Sequence, residues 1–376
     1  MKKTLLRIVT LFTMMINCAF KSMDNPKSFE NDCSSNQLVA EILSEMNEQN
    51  WINWIDRFSG EVPVEIGSET IRISTRFSNA MFFGNPEATA FNYAHEQVLH
   101  WASEDQIEIQ SYAYGNQTWK NLIVNFPGKL HPQEVVILSA HLDSISSIPW
   151  NKAPGADDNG SGAAALMEAV RVLSDYHFER TIRVIWFTGE EQGLLGSKAY
   201  VRKLTNESIV GVVNLDMISY DANDDHCFEL HVGDLPASEE VGNCLIQNIG
   251  QYGLDLQSEV FLGDAIGFSD HASFWNADIG AVLVTENLTY MRSENDCKAR
   301  EINPAYHQVS DQRNLLNSSM GFDLAKAGVA TVASLAVPLK HKNTPVNYQN
   351  YPVLHFAIEK RLQSKWLESE NNFGSW

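Results

Sequence analysis

Positive charge is what this chain has least of. Against 47 Asp and Glu it carries 27 Lys and Arg, for a formal net charge of −20. No Lys/Arg cluster interrupts that acidity. A polyanionic partner requires a basic face, so nucleic-acid binding is excluded. Acidity suits a cationic group such as a free peptide α-amine, and it suits the solubility of a secreted protein equally well. Cysteine is also scarce, 5 in 376 residues, and none stands in Cys-x-x-Cys spacing, which argues against a thiolate zinc site. No apolar run approaches the roughly 20 residues that span a bilayer, so no stable membrane association is expected. Internal repeats and low-complexity linkers are absent as well. What is present is material for a core: 44% hydrophobic and 10% aromatic residues, enough for one large folded domain.

The N-terminus carries Lys2, Lys3 and Arg7, then an apolar stretch from Ile8 to Ile16 broken only by Thr, then Ala19. This is the pattern of a secretory signal peptide over residues 1–20, and it predicts a secreted or periplasmic location. Cys18 leaves lipid modification open, although Asn17 before it is a poor fit. Removal of the signal leaves Cys33, Cys227, Cys244 and Cys297, an even count that allows one or two disulfides with the pairing undetermined. Residues 21–35 are polar and read as a loose mature N-terminus. One domain is expected over 36–340, followed by a C-terminal extension over 341–376.

Within that domain, Gln37–Phe58 and Ala88–Trp101 place apolar residues at helical spacing. Strand-length apolar runs follow at Ile107–Tyr112, Lys120–Asn125, Glu134–Ser139, Ile182–Thr188, Ile209–Asp216, Phe228–His231 and Ala281–Thr285. Helical segments Gly162–Ser174, Ser238–Tyr252 and Gly321–Val337 alternate with the later strands. The alternation predicts an α/β fold, a three-layer α/β/α sandwich with a mixed, largely parallel central sheet. The chain is expected to act as a monomer.

In such folds the ligand site lies beyond the carboxyl ends of the strands. His141 and Asp143 follow the strand Glu134–Ser139, Glu190 and Glu191 follow Ile182–Thr188, and Asp216 closes Ile209–Leu215. The acidic loop Ala156–Gly162 opens a helix, and Asn303–His307 adds a second histidine late in the chain. Each piece alone has an ordinary reading: a lone histidine is usually core or surface, and Asp-Asp-Asn-Gly is usually a turn. Together they form a His and carboxylate set suited to zinc or another borderline divalent ion, with room for two metals around a shared carboxylate. Glu190 and Glu191 side by side after an apolar strand are hard to explain structurally, because buried carboxylates need partners.

The strings HLDS (His141–Ser144), APGADDNGSG (Ala153–Gly162), FTGEEQGLLGS (Phe187–Ser197), NLDM (Asn214–Met217), SDHASF (Ser269–Phe274) and NPAYH (Asn303–His307) resemble the zinc-dependent bacterial leucyl aminopeptidases in order, spacing and flanks. The likeness covers roughly residues 36–338. It implies a fold of the zinc-exopeptidase type and a pair of Zn2+ ions, with Mn2+ or Co2+ as substitutes. Asp157 would bridge the ions, His141 and Asp216 would complete one site, and Glu191 and His307 the other. Glu190 would be the general base and acid, and Asp143 would accept a hydrogen bond from the His141 ring. A cis peptide between Asp157 and Asp158 is also implied. The substrates would be peptides with a free N-terminus. Met217, Ile266 and Phe268 flank ligand or motif positions, where they either line an apolar pocket for the first side chain or pack in the core.

The sequence departs from the family's familiar member at 263–268, where two closely spaced cysteines are replaced by Gly-Asp-Ala-Ile-Gly-Phe. Asp270 and His271 are left without a ligand role and are assigned to structural hydrogen bonding. Three rival readings exist. A zinc-dependent glutaminyl cyclase, an acyltransferase, would use one zinc and a similar glutamate. A catalytically inactive binding relative would have lost ligands, and none is missing here. A carboxypeptidase would need an arginine clamp on the substrate carboxylate, for which nothing places Arg292 or Arg300.

Overall fold

The computed structural model describes residues 33–83, 89–288, 297 and 301–342. The expected signal peptide, Cys18, Arg292, Arg300 and almost all of the C-terminal extension lie outside the described residues.

Two helices open the described chain, α1 (Gln37–Glu45) and α2 (Glu48–Phe58). The single helix expected over 37–58 is broken because the Asn47 side chain accepts the backbone N–H of Asn50 at 2.9 Å and caps a new helix. A hairpin, β1 (Val64–Ile66) and β2 (Glu69–Ile71), leads to α3 (Ser78–Phe83) and α4 (Ala90–Val98). Three long strands follow, β3 (Ile107–Tyr114), β4 (Gln117–Phe126) and β5 (His131–His141), and then α5 (Gly160–Leu173). The chain continues through β6 (Tyr176–Phe178), β7 (Arg180–Phe187), α6 (Leu195–Val201), β8 (Ser208–Leu215), β9 (Cys227–His231) and α7 (Pro236–Tyr252). It ends with β10 (Gln257–Phe261), α8 (His271–Trp275), β11 (Ala281–Glu286), α9 (Ser318–Ala336) and β12 (Pro338–His341).

Among the described residues, eight strands form one sheet in the order β10-β9-β11-β8-β5-β7-β4-β3. Pairing is parallel at β10/β9, β11/β8, β8/β5 and β5/β7, and antiparallel at β9/β11, β7/β4 and β4/β3. The sheet is therefore mixed, with its parallel strands at the centre. Those central strands are covered on both faces, which is why β5 from Val135 onward and all of β11 are buried. Helices α5 and α9 pack on one face, with α1 and α2 outside them. The indole N–H of Trp186 reaches across from β7 to the carbonyl of Ala163 in α5 at 3.1 Å. On the other face a cluster of Ile123, Val135, Ile137, Ile185, Phe187 and Val212 packs against Tyr200 of α6 and Phe274 of α8. This is the α/β/α sandwich expected from the alternation of elements.

Among the described residues two disulfides are formed, Cys33–Cys244 and Cys227–Cys297. Cys33, inside the stretch expected to be loose, is buried and tied to α7. No described helix is long and apolar enough to cross a membrane.

Candidate metal centre

The sheet delivers the site. Strands β8, β5 and β7 run parallel side by side, so their carboxyl ends open on one rim. His141 is the last residue of β5, Asp216 follows β8 directly, and Glu190 and Glu191 stand just beyond β7. The loop before α5 supplies Asp157 and Asp158, and the late loop supplies His307, whose φ of 55° lies in the left-handed region.

Two pairs of donors meet one carboxylate there. His141 Nε2 lies 3.1 Å from Asp216 Oδ1 and 3.3 Å from Asp158 Oδ1. His307 Nε2 lies 3.2 Å from Glu191 Oε2 and 3.1 Å from Asp158 Oδ2. One oxygen of Asp158 thus faces each histidine–carboxylate pair. The separations match the roughly 3.3 Å edge of a tetrahedron of ligands about 2.0 Å from a zinc-sized cation. His141, Asp158 and Glu191 each offer a ligand atom within 4.8 Å of the others, and Glu191 Oε1 is buried without a hydrogen-bond partner. This donor set fits divalent cations.

The shared position therefore falls to Asp158 and not to Asp157, a correction to the sequence-based expectation. Asp157 turns away and is consumed by the protein: its Oδ1 accepts the Ser219 N–H at 3.0 Å and its Oδ2 accepts Asn303 Nδ2 at 3.1 Å. The non-proline cis peptide is likewise one bond later than expected, between Asp158 and Asn159. Asp143 also differs from expectation. The His141 Nδ1–H is taken by the backbone carbonyl of Asp143 at 3.0 Å, while the carboxylate stands 3.7 Å from that nitrogen. That carboxylate instead accepts the backbone N–H of Glu190 at 3.3 Å, so it helps aim the glutamate.

Electrostatics here are dominated by crowded, buried carboxylates. Burial first, and the Asp158 charge second, push the Glu191 carboxyl up to about 7. Burial likewise holds Glu190 well above the usual carboxylate range. The His307 imidazole, despite burial, is raised to about 10 by its bonds to Asp158 and Glu191. His141 is raised in the same way: burial works against its charge, and the carboxylates of Asp216 and Glu190 outweigh burial. A pocket this acidic stabilises added positive charge.

The model of Peptidase family M28 matches residues 121–345, more than half of the 376-residue chain. The chain belongs to Peptidase family M28. Aminopeptidase YwaD of Bacillus subtilis (strain 168) is 30% identical over 241 residues, 62% of this chain and 48% of that protein. Leucine aminopeptidase 1 of Trichophyton rubrum is 36% identical over 150 residues, 37% of this chain and 39% of that protein. This M28 chain thus spans about half or less of the length of these curated relatives. The crystal structure of LapA from Legionella pneumophila matches with a TM-score of 0.61 at 25% identity, covering 80% of this chain and 76% of that one.

A cavity in the M28 chain opens over the centre and is lined by His141, Asp158, Glu190, Glu191, Asp216 and His307. Met217, Ile266 and Phe268, the expected pocket residues, line it too. The unassigned Asp270 and His271 are both fully buried, and His271 hydrogen-bonds the Ile266 carbonyl.

Three residues that sequence reasoning passed over support the M28 centre from behind. Asp311 accepts the backbone N–H groups of Asp157 and Asp158 at 3.0 and 3.1 Å, and burial pushes its own carboxyl up to about 8. Buried Glu286 lines the cavity and accepts the Tyr220 N–H at 3.1 Å. Arg76 is fully buried and donates to four carbonyls: Leu142 at 2.7 Å, Phe58 at 3.0 Å, Gly155 at 2.8 Å and Pro154. It ties the His141 loop to the Asp158 loop. Gly155 sits at φ 52°, and a Cβ there would lie 2.2 Å from the Asp158 carbonyl oxygen, so no other residue fits under the guanidinium. No local pattern around Arg76 marks this role. Replacing Arg76 by Met leaves these buried carbonyls short of donors and is expected to cost about 3–5 kcal/mol in urea unfolding. A loss below about 1 kcal/mol contradicts this account of Arg76.

Proposed function

We propose that this chain is a secreted metallo-aminopeptidase that removes the N-terminal residue of peptides, prefers apolar first residues and holds two zinc ions. The observation that carries the proposal is the division of the Asp158 carboxylate between the His141–Asp216 and His307–Glu191 pairs. Membership of M28, and relatives named aminopeptidases, support the same reading.

His141, Asp216 and one Asp158 oxygen would hold one cation, and His307, Glu191 and the other Asp158 oxygen a second. Bound divalent cations supply Lewis-acid polarisation of the scissile carbonyl and acidify water. Glu190 stands outside both ligand sets, lines the cavity and has its backbone fixed by Asp143. Its carboxylate takes a proton from the attacking water and returns it to the departing amine. Carboxyl groups on the cavity wall accept hydrogen bonds from the substrate α-amine, which restricts cleavage to the first residue. Met217, Ile266 and Phe268 enclose the apolar side chain of that residue.

The test is metal analysis of the purified protein beside assays with Leu-, Arg- and Gln-anilides and an N-terminal Gln peptide. The expected result is two cations per chain, Leu-anilide turned over fastest, activity abolished by a chelator and restored by zinc. One cation per chain with cyclisation of the Gln peptide overturns the reading in favour of acyl transfer.

A further inference from the structure

One residue of the pocket wall is held from both sides by buried imidazoles. Ile266 lies between β10 and α8. Its backbone N–H donates to Nδ1 of His231, the last residue of β9, at 3.2 Å. Its carbonyl accepts from Nε2 of His271, the first residue of α8, at 2.8 Å. Both histidines are 0% exposed.

Each ring is set in one tautomer. Nε2 of His231 donates to the Glu229 carboxylate at 2.9 Å, also at 0% exposure, which leaves Nδ1 bare as an acceptor. The same ring stacks on Phe261 with centroids 4.6 Å apart. His271 stands edge-on to Trp275 at 4.4 Å, and burial keeps it neutral, its pKa pushed down to about 3. It has one N–H, and that N–H goes to Ile266.

Around Ile266 the wall is exposed, with one turn bond from the Ala265 N–H to the Leu262 carbonyl at 2.9 Å. Gly267 follows Ile266, Phe268 is 81% exposed, and Leu262 at the start of the segment is 47% exposed. At its far end the segment reaches Ser269, whose hydroxyl donates to Asp216. The clamp thus sits between the exposed wall and a residue of the metal centre.

We propose that His231 and His271 are positioning residues that set the side-chain specificity of this chain by fixing the Ile266 backbone, and with it the depth of the pocket for the first residue of the substrate. The inference rests on the aminopeptidase reading. Without the clamp, the wall gives way and the pocket discriminates poorly between large and small first residues.

The experiment compares wild type, His271→Ala, His271→Gln and His231→Asn. Gln carries an amide donor near the place of Nε2, and Asn an acceptor near the place of Nδ1, so these variants keep the bond to Ile266. Amide hydrogen exchange over 262–269, metal content and kcat/KM on Ala-, Leu- and Phe-anilides are measured for each. His271→Ala is expected to speed exchange in the segment, to keep wild-type metal content, and to lower the Leu-over-Ala ratio about 10-fold through KM. His271→Gln and His231→Asn are expected to stay within about 3-fold of the wild-type ratio. An unchanged ratio, or unchanged exchange in the segment, in the Ala variant overturns the proposal. If wild type cleaves no anilide, the aminopeptidase reading itself fails. The clamp is then judged on exchange and on the affinity ratio for free l-leucine over l-alanine, and a ratio unmoved by His271→Ala overturns it.

Discussion

Glu190→Gln is expected to retain wild-type metal content while kcat on Leu-anilide falls by about 10²–10⁴-fold. The amide has the shape of the carboxyl but cannot take up and return a proton, so only the proton transfer is removed. Neither histidine–carboxylate pair includes Glu190: the short contacts around Asp158 come from His141 and His307, with Asp216 and Glu191 as their carboxylate partners. The bond from the Glu190 backbone to Asp143 is untouched by the substitution. Metal content by mass spectrometry and kcat from steady-state assays separate the two effects. Loss of the metal, or activity within tenfold of wild type, rejects the role given to this residue.

Asp158→Asn and Asp157→Asn, one position apart, are expected to behave in opposite ways. An Asn at 158 offers one neutral oxygen where two charged ones face the two pairs, so zinc affinity should fall by more than about 100-fold and activity with it. An Asn at 157 keeps one acceptor for Ser219 or Asn303 and forfeits the other, an expected loss of about 1–3 kcal/mol in stability with metal binding retained. Zinc titration calorimetry and urea unfolding on both variants decide the matter. The reverse pattern returns the shared position to Asp157 and removes the geometric basis of the centre.

Much of the candidate site was legible because histidines and carboxylates at strand ends leave local marks. His141, Glu190, Glu191 and Asp216 each follow an apolar run, and the rule that sites lie beyond carboxyl strand ends needs only those runs. The long buried strands and α9 were legible for the same reason, since continuous apolar stretches report burial on both faces. Shorter pieces left weaker marks. Gln257–Phe261 opens on three polar residues and pairs only at the sheet edge. Leu195–Val201 and His271–Trp275 are too short to show a helical period.

Arg76 and Asp311 were invisible because their partners are backbone groups distant in sequence, and backbone groups carry no residue identity. The same holds for His231 and Ile266, 35 positions apart.

What the sequence determined by itself was the chemistry on offer: the histidines and carboxylates, the strands whose ends present them, and the layered α/β architecture that apolar patterning requires. Which of two adjacent aspartates faces the histidines was decided only by the tertiary structure. Asp157 and Asp158 are chemically identical, and their orientation depends on hydrogen bonds donated by Ser219 and Asn303 and on the Asp311 carboxylate that accepts the backbone N–H of each, all of which reach the loop from elsewhere in the fold.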